Sequence, residues 1–225
     1  MGANHSTPIP TDADLNYFHP APKNVLYQEL QPDKYYHLIL KEKLWKSWSG
    51  DSFGIYYAGE GKKPFEVDVK GQVMTLRDRM VLRVPATQTP IAVILRMFYK
   101  LETTYKIYGF VPYEEGQLPS ANQTHEGHSL YEWAECKDNF LSVRKTMTMF
   151  DGTRFVMDGV GKVVTLHREM RISRNGKPCV HMKERNLGIF TGNQWEIKIG
   201  PGIDPCMIIA FAVVIDEMNE TEAAG

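Results

Sequence analysis

Asp204-Pro205-Cys206-Met207-Ile208-Ile209-Ala210-Phe211-Ala212-Val213-Val214-Ile215-Asp216-Glu217-Met218 is the stretch on which the fold turns. From Cys206 to Ile215 it is apolar without interruption. A helix with no polar side has to be buried on every side. A fully buried strand shares this pattern, and the β-branched content favours it. The start of the run argues for the helix. The Asp204 side chain can accept from an orphan backbone N–H, and Pro205 suits the first helical position, where its missing N–H costs nothing. The length of the run argues the same way, so we expect a buried helix over 205–218. Asp216 and Glu217 near its end oppose the macrodipole, at a cost of a few tenths to about 1 kcal/mol. Seven large apolar side chains at about 1.5–3 kcal/mol each contribute on the order of 10–20 kcal/mol gross, which outweighs that cost. Ten apolar residues cover about half of a bilayer span, so no membrane crossing is expected.

Upstream of this run the chain reads as short strands. Apolar and β-branched segments recur at 35–40, 53–58, 65–69, 73–84, 90–101, 105–111, 130–136, 141–150, 153–157, 162–172, 178–184 and 194–199. Asp151-Gly152, Asn175-Gly176 and Gly192-Asn193 supply the positive φ angles of tight hairpins. The segments also repeat at an offset of 90: Phe65, Asp68 and Gly71 match Phe155, Asp158 and Gly161. Val73, Thr75, Leu76, Met80 and Ile107 match Val163, Thr165, Leu166, Met170 and Ile197. Two similar half-sheets closing on each other remove the exposed edges that either half alone would carry. Residues 1–34 are polar and proline-punctuated and are expected to be a flexible arm, with 219–225 a disordered tail. A second polar stretch at 112–128 separates the two halves.

Composition narrows the function. The 225 residues carry 43% hydrophobic and 24% charged side chains, an ordinary globular balance. The net charge of −1 gives no global attraction for nucleic acid, so an anionic partner has to meet a local basic patch. Cys136, Cys179 and Cys206 are too few and too scattered for a disulfide framework, and the start of the chain has no export signal. The expectation is a monomer in the cytoplasm.

The run quoted at the outset, with the preceding Gly200-Pro201-Gly202-Ile203, resembles the terminal helix of the LURP-one-related branch of the tubby C-terminal-like superfamily. "IAVILRMFYKLETTYKIYG" (91–109) and "LYEWAECKD" (130–138) are similar to its middle strands, and the doubled F-x-V-D…G pattern agrees. The likeness covers 35–218. It implies a closed antiparallel barrel of about twelve strands around the buried helix. It also implies relatives that bind phosphoinositide head groups or act as phospholipid scramblases. The acidic calcium-binding stretch and cysteine clusters of scramblases have no counterpart, because Gly200-Pro201-Gly202-Ile203-Asp204-Pro205 holds one carboxylate.

Candidate sites are few. Met1-Gly2-Ala3-Asn4-His5-Ser6 matches the N-myristoylation pattern, with Gly2 as acceptor. One myristoyl chain binds membrane only marginally, with a constant of about 10⁴ M⁻¹, so the folded domain would have to supply a second contact. Arg77, Arg79 and Arg83 alternate along one strand, with Arg96 and Lys100 nearby in sequence; these are the head-group candidates, although a charge-bearing strand face is more often just the solvated side of a barrel. Gly50-Asp51-Ser52-Phe53-Gly54 fits G-x-S-x-G, but a strand pattern follows where the nucleophile elbow needs a helix, so a turn is expected there. His125-Glu126-Gly127-His128 lies in a polar loop without further ligands and reads as exposed histidines. Gly59-Glu60-Gly61-Lys62-Lys63 lacks the length and the final Ser or Thr of a phosphate loop. The sequence therefore implies a non-enzymatic domain without cofactor or metal. The resemblance and the N-terminal pattern together imply membrane association through phospholipid or phosphoinositide head groups; the alternatives are a cytosolic protein-interaction or signalling scaffold without lipid binding and, least favoured, a hydrolase using Ser52.

Overall fold

The computed structural model describes residues 15, 19–42, 52–60, 63–72, 79–97, 103–138, 144–160, 169–185 and 194–224. Twelve strands close into one antiparallel barrel: β1 (Tyr36–Glu42), β2 (Ser52–Tyr57), β3 (Asp68–Gln72), β4 (Arg79–Arg83), β5 (Pro90–Met97), β6 (Thr104–Gly109), β9 (Tyr131–Asp138), β10 (Lys145–Met149), β11 (Arg154–Val160), β12 (Glu169–Arg174), β13 (Lys177–Glu184) and β14 (Gln194–Ile199). Each pairs with its neighbours in sequence, and β1 closes on β14. A separate hairpin, β7 (Thr124–His125) and β8 (His128–Ser129), forms inside the stretch expected to be a polar loop. Glu126 and Gly127 both have positive φ, the requirement of a two-residue hairpin turn.

The terminal run is the expected helix, α1 (Pro205–Ala224). Every residue from Cys206 to Ile215 is buried. They share one core cluster with the inward rows of the strands, such as Leu38 and Leu40, Met80 and Leu82, Ile172, and Ile197 and Ile199. The helix therefore fills the lumen. It runs past the expected end at Met218 to Ala224, through glutamates and alanines that favour helix. The dipole penalty expected for Asp216 disappears with that extension. Asp216 lies buried in mid-helix, where its Oδ1 accepts from Trp195 Nε1 at 3.0 Å.

The duplication is visible in the topology. Six strands on either side of the 110–130 connection follow the same order, and β6 meets β9 as β14 meets β1. The offset of 90 carries Arg79 at the start of β4 onto Glu169 at the start of β12, and β6 onto β14.

Residues 19–34, expected to be part of a flexible arm, instead lie across the barrel end where α1 begins. Val25, Leu26 and Leu30 are buried there. The strap is tied by His19 N to Pro201 O at 3.3 Å, Gly202 N to Pro32 O at 2.6 Å and Arg174 Nη1 to Pro20 O at 2.6 Å. Leu26 N donates to Asp204 Oδ2 at 2.8 Å, while Asp204 Oδ1 accepts from Cys206 N at 2.8 Å and Met207 N at 3.4 Å. One carboxylate thus caps the helix and holds the strap. Gly202 makes room for it: φ is +86°, and a Cβ there would lie 1.9 Å from His19 O. The polar composition of the arm concealed this packing, because backbone groups and a few apolar side chains make the contacts.

Candidate functional site

With the lumen filled, the outer wall is where a ligand can meet side chains. Of the five sequence-predicted cations, the three among the described residues do not share one face. Arg77 and Lys100, like Gly2, lie outside the described residues. Arg79 and Arg83 stand on the outward row of β4, in register with Gln72 and Asp68 of β3. Arg83 Nε donates to Asp68 Oδ1 at 2.9 Å, and its Nη1 is bonded to Gln88. Arg96 follows Ala92 and Ile94 on the inward row of β5 and pairs with the buried Tyr105, so it points away from the face that Arg79 shares.

Arg79 has a partner that sequence reasoning missed. Its Nη1 is 3.2 Å from Nδ1 of His125. His125 is buried, not exposed as expected, with Phe110 edge-on at 6.0 Å. The apolar cluster of Val93, Leu95, Met97, Tyr108 and Leu130 lies on the outward side of β5 and β6, and Phe110 packs against it. Burial pushes His125 below the usual histidine range; Glu126 opposes this, and Arg79 and His128 add to it. The Glu-Gly turn flanked by paired histidines was the available signal for this hairpin.

Residues with catalytic potential are held in structural roles. Ser52 opens β2, and its Oγ accepts from Gly71 N at 3.4 Å; the strand that follows leaves no strand–turn–helix elbow. The thiols of Cys136, Cys179 and Cys206 are buried, and burial pushes all three upward, Cys179 to about 12. Among the described residues no group of three or more His, Cys, Asp or Glu is placed to hold a metal. A cleft of about 540 Å³ opens between the strap and the 112–115 turn. It is lined by Lys23, Asn24, Pro112, Tyr113, Glu114 and Glu115, an acidic balance that does not suit an anion.

A second surface emerges from strand register. Arg171 on β12 pairs with His181 on β13, His181 with Lys198 on β14, and Lys198 with His37 on β1. All four project outward, since Ile172, Val180, Met182, Ile197, Tyr36 and Leu38 beside them point into the core. The next row holds Glu169, Lys183 and Glu196. Lys183 Nζ is 2.8 Å from Glu169, while His37 Nε2 and Arg185 Nε each lie 2.6 Å from Glu196. Burial would raise the Glu196 carboxyl, but the bonds from His37 and Arg185 hold it below its usual range. These side chains come from four strands up to 161 residues apart, so no local motif announces them.

A family model described as LURP-one-related matches residues 36–216. The chain belongs to the LURP-one-related family. The match spans the barrel from the first residue of β1 to Asp216 in α1, leaving the strap outside it. The closed twelve-stranded barrel around one helix agrees with the tubby C-terminal-like superfamily. No curated protein and no solved structure matches the chain. No helix among the described residues is long and apolar enough to cross a membrane.

Proposed function

We propose that this LURP-one-related barrel is a non-catalytic binding module that associates with the cytoplasmic face of a membrane through anionic phospholipid head groups, with Gly2 as a myristoylation site. The observation that carries this reading is the occupied lumen: α1 is buried from Cys206 to Ile215 against the inward rows of the described strands, so recognition falls to the outer wall. The N-terminal acylation pattern supports it, because one acyl chain needs a second membrane contact. Arg77, Arg79, Arg83, Arg96 and Lys100 enter the proposal as the cations that stand near one another in sequence. Co-sedimentation tests it, using protein made with and without an N-myristoyltransferase. Wild type pellets with anionic vesicles and Gly2→Ala pellets less. If both stay in the supernatant with anionic vesicles, the membrane reading fails. Intact mass reports the acylation separately.

A protein-interaction scaffold is the second reading. Val111, Leu118 and Phe150 are exposed, and Val111 and Phe150 flank Trp133 through its Nε1 bond to Val111 O and its carbonyl bond from Phe150 N. Failure of vesicle binding together with a partner lost on Phe150→Ser would favour it.

A further inference from the structure

We propose that the outward row Arg171–His181–Lys198 is a binding site for a phosphate group, carried by a lipid head group in the setting proposed above. The proposal rests on the membrane reading only for the source of the phosphate. Neighbouring strands lie about 4.8 Å apart, so one phosphate can accept from side chains on two adjacent strands. Arginine and lysine supply charge, and arginine adds the planar donor set that matches phosphate oxygens.

Two atoms in the row lack partners. Arg171 Nε and His181 Nε2 are each buried with no hydrogen-bond partner among the described residues. Both side chains are otherwise part-exposed, so the row is reachable from solvent. Buried polar atoms without partners are rare in folded proteins, and binding an ion is one way to satisfy them. Here two such atoms belong to residues paired directly across adjacent strands; Arg171 Nε is a donor, and His181 Nε2 is one when its ring carries the proton there. The nearby carboxylates are occupied: Glu169 by Lys183, Glu196 by His37 and Arg185, and Asp158 by Arg144 at 2.7 Å. Burial chiefly, then Lys198 and Lys183 against the opposing Glu169 and Glu196, holds the His181 imidazole below its usual range. The row itself carries the positive charges of Arg171 and Lys198, with Asp158 across from Arg171 in register on β11.

The duplicated half supplies an internal comparison. By pairing, the row Arg171–His181–Lys198 corresponds to Val81–Val93–Tyr108 of β4, β5 and β6. In that half the row is apolar and buried. The β7–β8 hairpin packs beside it through Arg79–His125 and Phe110–His125. The other half has Arg171, His181 and Lys198 at the same level of the same wall. A merely solvated wall would not need two of their nitrogens sequestered and unpaired.

The test uses the full chain and follows the His181 imidazole by NMR during titration with inorganic phosphate and with a soluble inositol phosphate. Co-sedimentation runs beside it, on phosphatidylcholine vesicles with and without a phosphatidylinositol phosphate. We expect a saturable His181 response and a raised His181 titration midpoint with the soluble phosphates. Arg171→Gln and Lys198→Gln each weaken binding on the order of tenfold, the effect of removing one charge-assisted contact. Lys198→Arg keeps the charge and retains most of the binding, which separates loss of site from loss of fold, while Arg171→Lys keeps the charge without the Nε donor and loses part of it. Arg154→Gln, an exposed cation elsewhere on β11, leaves it unchanged. A His181 signal unmoved by phosphate, or binding that survives the double glutamine variant, overturns the site. Vesicle binding that survives that variant overturns the site and leaves the membrane function standing. A His181 response to soluble phosphate without vesicle binding keeps the site and removes the membrane function.

Discussion

Asp204 gives the sharpest test of how the barrel end is held. Its carboxylate caps α1 through Cys206 N and Met207 N, and it takes the Leu26 N–H of the strap, 178 residues away. Asp204→Ala removes a cap worth about 0.5–2 kcal/mol and leaves a buried N–H unpaired at about 1–3 kcal/mol, so about 2–5 kcal/mol is lost with the carboxyl protonated. Burial opposes the charge, which raises the group from 3.8 to about 6 even though three backbone N–H groups favour the anion. A carboxyl held above its unfolded value contributes stability that is complete below pH 3.8 and is lost as pH rises through about 6. Two units amount to about 3 kcal/mol, which offsets much of the alanine cost at neutral pH. Asp204→Asn isolates the charge, since its Oδ1 still caps the helix while its amide faces Leu26 N–H. Urea unfolding of wild type and Asp204→Asn at matched pH values gives a difference curve in which the histidines cancel. The wild-type advantage should shrink by about 3 kcal/mol between pH 3.8 and about 6. With m near 2 kcal/mol/M, that is a relative midpoint shift of about 1–2 M urea. Parallel curves across this window would refute the account, and would mean that the N–H groups and the helix dipole offset the burial.

Three further outcomes follow from the same contacts. Truncation before Asp204 removes the lumen helix and should yield insoluble or unfolded chain; a soluble truncation with a cooperative melt would overturn the central placement. Gly202→Ala places a Cβ 1.9 Å from His19 O at φ +86°, so the melting temperature should fall by several degrees, and an unchanged melt would unseat the strap from this position. His19, His125 and His181 all sit below 6.5, so the fold takes up protons less readily than the unfolded chain. The stability they give is present above pH 6.5 and lost as pH falls; His125→Gln should flatten that loss in urea midpoints, and an unaltered slope would show that His125 does not contribute.

The helix and the strands were legible because each is a local pattern. Ten apolar residues behind Asp-Pro specify a buried helix wherever they occur, and the twelve apolar segments correspond one to one with the barrel strands. What escaped depends on partners far away in sequence. The strap reads as polar coil until Asp204 and Gly202 meet it, because neither contact leaves a mark in 19–34 itself. The cations show the same limit in its strongest form. Arg79 and Arg83 stand out because they alternate along one strand, yet Arg79 Nη1 meets His125 and Arg83 Nε and Nη1 meet Asp68 and Gln88. Arg171, His181, Lys198 and His37 look unrelated in the chain, yet register sets them side by side. In an antiparallel barrel the residue across a strand boundary is nearer than the residue two positions along the strand. A basic surface on such a wall is therefore written in the pairing, and residues clustered in sequence mark it only when the neighbouring strands leave them unpaired.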